Sequence, residues 1–213
     1  MKLLTISVFF LSYSIANFIM IIVAEAIQIP GLADCPSVAV VDSVTINVDG
    51  NEIQSTTFQC MDADLSERAV THSLPRSLLS SPLDLLRRNA AECKTPAPEC
   101  QCGLQSGCSC PQSTARAPDN GDCLTLIDSL QVISQLVGTT FIVPSQGLEL
   151  LQFQTCAIEW INLSSLTLEY CWDELGTLAS ITNQQCLLPA VSTEGACAPA
   201  DGLWVMNVIR IDT

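Results

Sequence analysis

Histidine is almost missing from this 213-residue chain: a single one occurs, His72. A Ser-His-Asp or Cys-His site needs imidazole as its base, and histidine-ligated metal catalysis needs several ring nitrogens, so neither chemistry fits. Basic residues are scarce as well. Eight Lys and Arg stand against twenty-two Asp and Glu, a formal net charge of −14. No basic patch exists to displace counterions from phosphates, which argues against nucleic-acid binding and against attraction to anionic lipid. There is no glycine-rich phosphate loop, no internal repeat and no adjacent Cys-Cys doublet. One apolar run approaches membrane length, at the beginning of the chain, and no second one follows.

That first run has the composition of an export signal. Lys2 supplies a positive start, residues 3–23 are apolar and uncharged, and Ala24-Glu25-Ala26 forms the small-x-small pattern that signal peptidase cuts. Residues 1–26 therefore read as a signal peptide, cleaved after Ala26. An uncleaved anchor is the alternative, but Ser12, Ser14 and Asn17 interrupt the run. Residues 202–213 carry Arg210 and Asp212 and do not resemble a lipid-anchor tail. The expectation is a secreted, extracellular protein with no membrane attachment once the signal is removed.

All twelve cysteines lie beyond this segment: Cys35, Cys60, Cys93, Cys100, Cys102, Cys108, Cys110, Cys123, Cys156, Cys171, Cys186 and Cys197. An even, dense set in an exported chain reads as disulfides, each contributing ~2–4 kcal/mol by restricting the unfolded chain. The Cys-x-Cys pairs at 100/102 and 108/110 invite a metal reading, yet the spacing is not the usual Cys-x2-Cys, no histidine is near and the compartment oxidises thiols. No metal and no cofactor is expected, and connectivity is not deducible from spacing.

Composition divides the rest. Residues 27–60 read as a small β-hairpin unit, with alternation over 43–48, an Asp49-Gly50 turn signal and a returning strand flanked by Cys35 and Cys60, which can pair. Residues 61–92 hold no cysteine and read as a linker ending near Arg87-Arg88, a pair that kexin-type processing proteases recognise in exposed segments. Cleavage there makes 27–88 a propeptide or a separate small domain; a solvated arginine pair on a short helix is the plainer account. Residues 93–213 form the main disulfide-rich domain. It opens with a proline-containing, cysteine-rich loop over 93–118. A helix capped from Asp119, Asn120 or Asp122 follows, with Cys123, Ile127, Leu130, Ile133 and Val137 on one stripe and Gly138 at its end. Strands are expected over 139–143 and 151–161, the second with Cys156, Ile158 and Trp160 on one face. Leu168, Cys171, Trp172, Leu175 and Leu178 predict a second helix, then come a loop with Cys186 and Cys197 and a last strand over 203–211. This order predicts an α+β fold, a small antiparallel sheet packed with two helices as a sandwich, preceded by the hairpin unit. A domain of this size needs its staples.

Asp122-Cys123 at a helix start, Thr140-Phe141-Ile142-Val143, and Thr155-Cys156-Ala157-Ile158 together resemble small secreted fungal cysteine-rich proteins of the killer-toxin and necrosis-inducing effector type, over residues 119–211. The resemblance implies an α/β sandwich, secretion and action on another organism or a cell surface, and it carries over no catalytic residue. The cluster from Cys100 to Cys110 and the hairpin between Cys35 and Cys60 fall outside that pattern.

The leading expectation is thus a secreted, non-enzymatic interaction protein, effector-like or toxin-like, whose partner is a cell-surface protein or glycan. A glycan-binding module is the first alternative. Trp160 and Trp172 fall on apolar faces and read as core, while Trp204 is the candidate glycan contact. A carboxylate-dependent glycosidase is the second. Glu159 is read as exposed on an alternating strand. Glu169, Asp173 and Glu174 crowd the second helix start, with Glu169 and Asp173 one helical turn apart; acidic residues at a helix N-terminus also simply complement its dipole. Asn162-Leu163-Ser164 is the sole glycosylation sequon, expected in an exposed turn with Asn162 as acceptor.

Overall fold

The computed structural model describes residues 35, 37–61 and 93–211. The signal segment with Ala26, His72 and the Arg87-Arg88 pair lie outside the described residues. No described helix is long and apolar enough to cross a membrane.

Strands β1 (Val38–Val48) and β2 (Asn51–Cys60) form the expected hairpin. Asp49 and Gly50 both sit at positive φ, 51° and 86°, as a type I′ turn requires. β3 (Ser106–Ser109) follows the cysteine-rich loop, then helix α1 (Asn120–Val137). Asp119 caps α1, its carboxylate accepting from Gly121 N–H at 2.8 Å. β4 (Thr140–Val143), β5 (Gly147–Phe153), β6 (Cys156–Asn162) and β7 (Leu168–Cys171) lead to helix α2 (Trp172–Thr182). A π-helical turn over Asn183–Leu187, β8 (Gly195–Pro199) and β9 (Trp204–Arg210) complete the order.

The main sheet has seven antiparallel strands in the order β1-β2-β5-β6-β9-β8-β3, and β4 and β7 make a separate two-stranded sheet. Both described helices pack on one face of the large sheet, α1 over β5 and β6 and α2 over β9, β8 and β3. The fold is the expected disulfide-rich α+β class, but its sheet is larger than the small one the sequence suggested. The hairpin is the reason. β2 pairs with β5 from Gln54–Gln152 to Gln59–Gly147, and Ile46, Val48 and Ile53 enter the same core as the helices. The composition break at residue 61 thus falls between two strands of a single sheet.

Two element boundaries move. Residues 151–161 are not one strand: Gln154, at φ 50°, turns the chain between β5 and β6. Both strands are buried on both faces, so burial does not mark the break. The stripe beginning at Leu168 starts as strand β7, and α2 begins only at Trp172. Cys197, placed in a loop by the sequence reading, lies on β8 opposite Cys108 of β3.

Six disulfides join the described cysteines: Cys35–Cys60, Cys93–Cys100, Cys102–Cys171, Cys108–Cys197, Cys110–Cys186 and Cys123–Cys156. No described cysteine is free. Cys123–Cys156 ties α1 to β6, and Cys102–Cys171 ties the cysteine-rich loop to the start of α2. Beneath the helices lies an aromatic cluster: Trp160 stacks on Trp204 at 5.5 Å, and Phe141 meets Trp172 at 4.2 Å.

Candidate functional site

A cleft of about 530 Å³ opens where the hairpin end of the sheet faces β4 and the end of α1. Val41 and Val44 of β1 form one wall, Ile142 of β4 and Val137 of α1 the other, with Trp172 and Glu149 deeper in. The sheet register sets the interior. Asp42 lies opposite Thr57, and Thr57 opposite Glu149, so the three side chains form one row on the helix-bearing face. Asp42 and Glu149 are two strands apart, about 10 Å between backbones.

Glu149 is buried at the floor. Thr57 Oγ1 donates to its Oε2 at 2.6 Å, and the Ser55 hydroxyl donates to Oε1. Burial raises its pKa; the Ser55 and Thr57 hydroxyls oppose that, and the charge of Asp42 adds to it. A carboxyl held this way stays protonated further up the pH scale than a surface glutamate. Among the described residues, Lys94 is the one basic residue lining the cleft.

The carboxylates nominated from sequence are dispersed. Glu159 is a correction: it is 2 % exposed, on the opposite sheet face from Glu149. Central strand β6 is covered on both sides, so its alternation did not mean exposure. Burial lifts the Glu159 pKa to about 7, against a hydrogen bond from Asn207 Nδ2 at 3.3 Å and with help from the charge of Glu194. Glu169 belongs to β7 rather than to a helix, so it does not share a helical face with Asp173. Its carboxylate accepts from Lys94 N–H, Thr95 N–H, Thr95 Oγ1 and Thr140 Oγ1 at 2.7–3.0 Å. Burial opposes ionisation, but these donors outweigh it and bring the pKa down to about 2. Glu169 thereby pins the cysteine-rich loop to β4 and β7. Glu174 accepts from Gly103 N–H and anchors the same loop to α2.

Trp204, the candidate glycan contact, is also corrected. It is 0 % exposed, and its Nε1–H donates to Gln101 Oε1 at 3.2 Å. Its inward face on β9 packs against Trp160, so it offers no surface for a sugar ring. Trp160 and Trp172 are core residues, as the apolar faces implied. Asn162 is a third correction. It ends β6 at 1 % exposure, and its Nδ2–H groups reach the carbonyls of Val143, Pro144 and Leu166 at 2.7–3.1 Å. Its Oδ1 accepts from Ser164 N–H and Oγ–H. The turn folds back over the amide instead of presenting it, leaving no room for a glycan.

The sulfurs of Cys93, Cys100 and Cys102 lie within 4.8 Å of one another, as metal ligands would. All three are consumed in disulfides, so none offers a thiolate.

The cleft was missed from sequence. Its one legible sign is Leu148-Glu149-Leu150-Leu151, a carboxylate inside an apolar run; nothing local announces that Asp42 would join it. No family model and no curated protein matches this chain.

Proposed function

We propose that this chain is an exported, non-enzymatic binding protein, effector-like or toxin-like, that recognises a cell-surface protein or glycan through the cleft between β1 and β4. Six disulfides and a strongly acidic composition suit an extracellular compartment. The observation that carries the reading is the cleft itself, with exposed Val41, Val44, Val137 and Ile142 around a buried carboxyl. Apolar side chains gathered in one concavity, rather than scattered singly, mark a place built to be covered. Loss of the signal after Ala26 and cleavage after Arg88 belong to the same proposal, as does the kinship with fungal killer-toxin-type proteins.

The test is binding of fluorescently labelled secreted protein to intact cells, compared with Ile142→Asp. Ile142 is exposed, so the variant keeps the fold and loses binding. Unchanged binding by Ile142→Asp removes the cleft from the reading. Selective capture on an array of neutral glycans, lost in the same variant, selects a glycan over a protein partner.

One observation favours a second reading, a glycosidase: Asp42 and Glu149 share the cleft, and a raised carboxyl is what a general acid requires. Hydrolysis of an oligosaccharide that disappears in Glu149→Gln carries that reading; binding without turnover eliminates it.

A further inference from the structure

The cleft's outer wall is a sheet edge. β1 stands at the end of the strand order, so no strand among the described residues pairs with its outer side. It is eleven residues long, and Val38, Val40, Val41 and Val44 along it are exposed. Long, apolar, unpaired edges are templates for another strand, and folded proteins usually blunt them with lysine, proline or a covering element. β1 has neither residue; Asp42 is its only charge. Its one irregularity, between Val40 and Asp42, leaves the run from Ser43 to Val48 in continuous register. The opposite edge of the sheet, β3, is only four residues long.

We infer that β1 is the docking edge for an extended segment of a partner protein, which adds antiparallel or parallel to β1 and lays into the cleft one row of side chains, every second residue, in which apolar and basic residues take turns. This deepens the proposed function and rests on the cleft being the recognition site. Backbone hydrogen bonds along β1 supply the attachment, and alternate side chains supply the selection. Inward apolar residues meet Val44 and Phe141. Charge chooses the rest: the chain carries −14, and Asp42 stands in the row that leads to Glu149, with Lys94 the lone basic counterweight among the described residues of the cleft. A second copy of this chain brings an equally acidic surface to the edge and suits it less.

The experiment uses synthetic peptides about ten residues long, the length of a typical strand. One has lysine and valine by turns at every second position with threonine between them, one has glutamate in place of each lysine, and one repeats the lysine–valine sequence with alternate backbone nitrogens methylated. Titration gives affinity, and hydrogen–deuterium exchange gives the site. The lysine–valine peptide is expected to bind and slow exchange across 38–48. The glutamate version should bind at least about tenfold more weakly, and Asp42→Asn should lose several-fold for the lysine peptide alone. The methylated peptide has the same charge but lacks ladder donors, so it should fail to bind. Equal binding of the methylated peptide, protection elsewhere than β1, or concentration-dependent protection of β1 without peptide each overturns the inference. If cell binding still depends on Ile142 while these peptides leave β1 unprotected, strand addition falls and the cleft reading stands.

Discussion

Cys35 is bonded to Cys60, and that disulfide closes the β1–β2 hairpin onto itself. The other five bridges all lie between Cys93 and Cys197. The covalent framework is therefore in two parts, joined only by the chain over 62–92. What holds the hairpin to the rest is β2–β5 pairing and the burial of Ile46, Val48 and Ile53.

Cleavage after Arg88 then yields two pieces with no covalent link. Non-reducing denaturing electrophoresis of protein so cut should release a hairpin fragment without reductant, while size exclusion under native conditions keeps the pieces together. A fragment that needs reductant for release contradicts the Cys35–Cys60 pairing.

The buried glutamates give stability opposite slopes with pH, Glu149 and Glu159 in one direction and Glu169 in the other. Glu159 moves from the ordinary 4.5 up to about 7 in the fold, so the native state holds a proton the unfolded chain has lost. Stability from this group is complete below about 4.5 and declines until about 7, by up to about 3 kcal/mol. Glu169 moves down to about 2, so its contribution is present above 4.5 and is lost as pH falls toward 2. Urea midpoints measured from pH 2 to 8 should show both limbs. Glu159→Gln should shrink the upper limb, with the share of Glu149, whose pKa burial also raises, remaining, and leave the lower one.

Asn162 answers five polar partners from a buried position. Asn162→Ala should cost about 2–4 kcal/mol, because three carbonyls and the Ser164 donors lose their partner. Asn162→Asp should be worse, since its carboxylate faces carbonyl oxygens. The secreted wild type should show no mass change on treatment with an N-glycosidase; a shift would mean that the turn over 162–166 is open.

Gly195 on β8 has no room for a side chain. A Cβ there would collide with Thr182 Cγ2, and Thr182 is buried with its hydroxyl bonded to the Leu178 carbonyl at 2.8 Å. Gly195→Ala should destabilise by about 1–3 kcal/mol through overpacking, read as a lowered urea midpoint.

Local signals were legible where the chemistry is local. The Asp49-Gly50 turn, the stripe through Cys123, Ile127, Leu130 and Ile133, and the apolar face of Cys156, Ile158 and Trp160 stand where the sequence put them; of the three cap candidates Asp119 caps, and Val137, expected on the stripe, is exposed. Illegible features had causes outside their own segment. β6 alternates, yet Glu159 is buried because both faces of a central strand are covered. Trp204 resisted assignment because its face depends on which strand β9 joins. Asn162 matches an exposed sequon but is enclosed by carbonyls from β4 and from the turn after β6.

Twelve cysteines, the Asp-Gly turn, a scarcity of basic side chains and two amphipathic helices follow from the order of residues alone, because capping, turn formation and charge need only near neighbours. Which cysteines meet, that the hairpin becomes the edge of a larger sheet, and that Asp42, Thr57 and Glu149 form a row beneath a cleft were decided only in three dimensions. Each depends on strand register, and register is set by the simultaneous burial of faces that lie far apart along the chain.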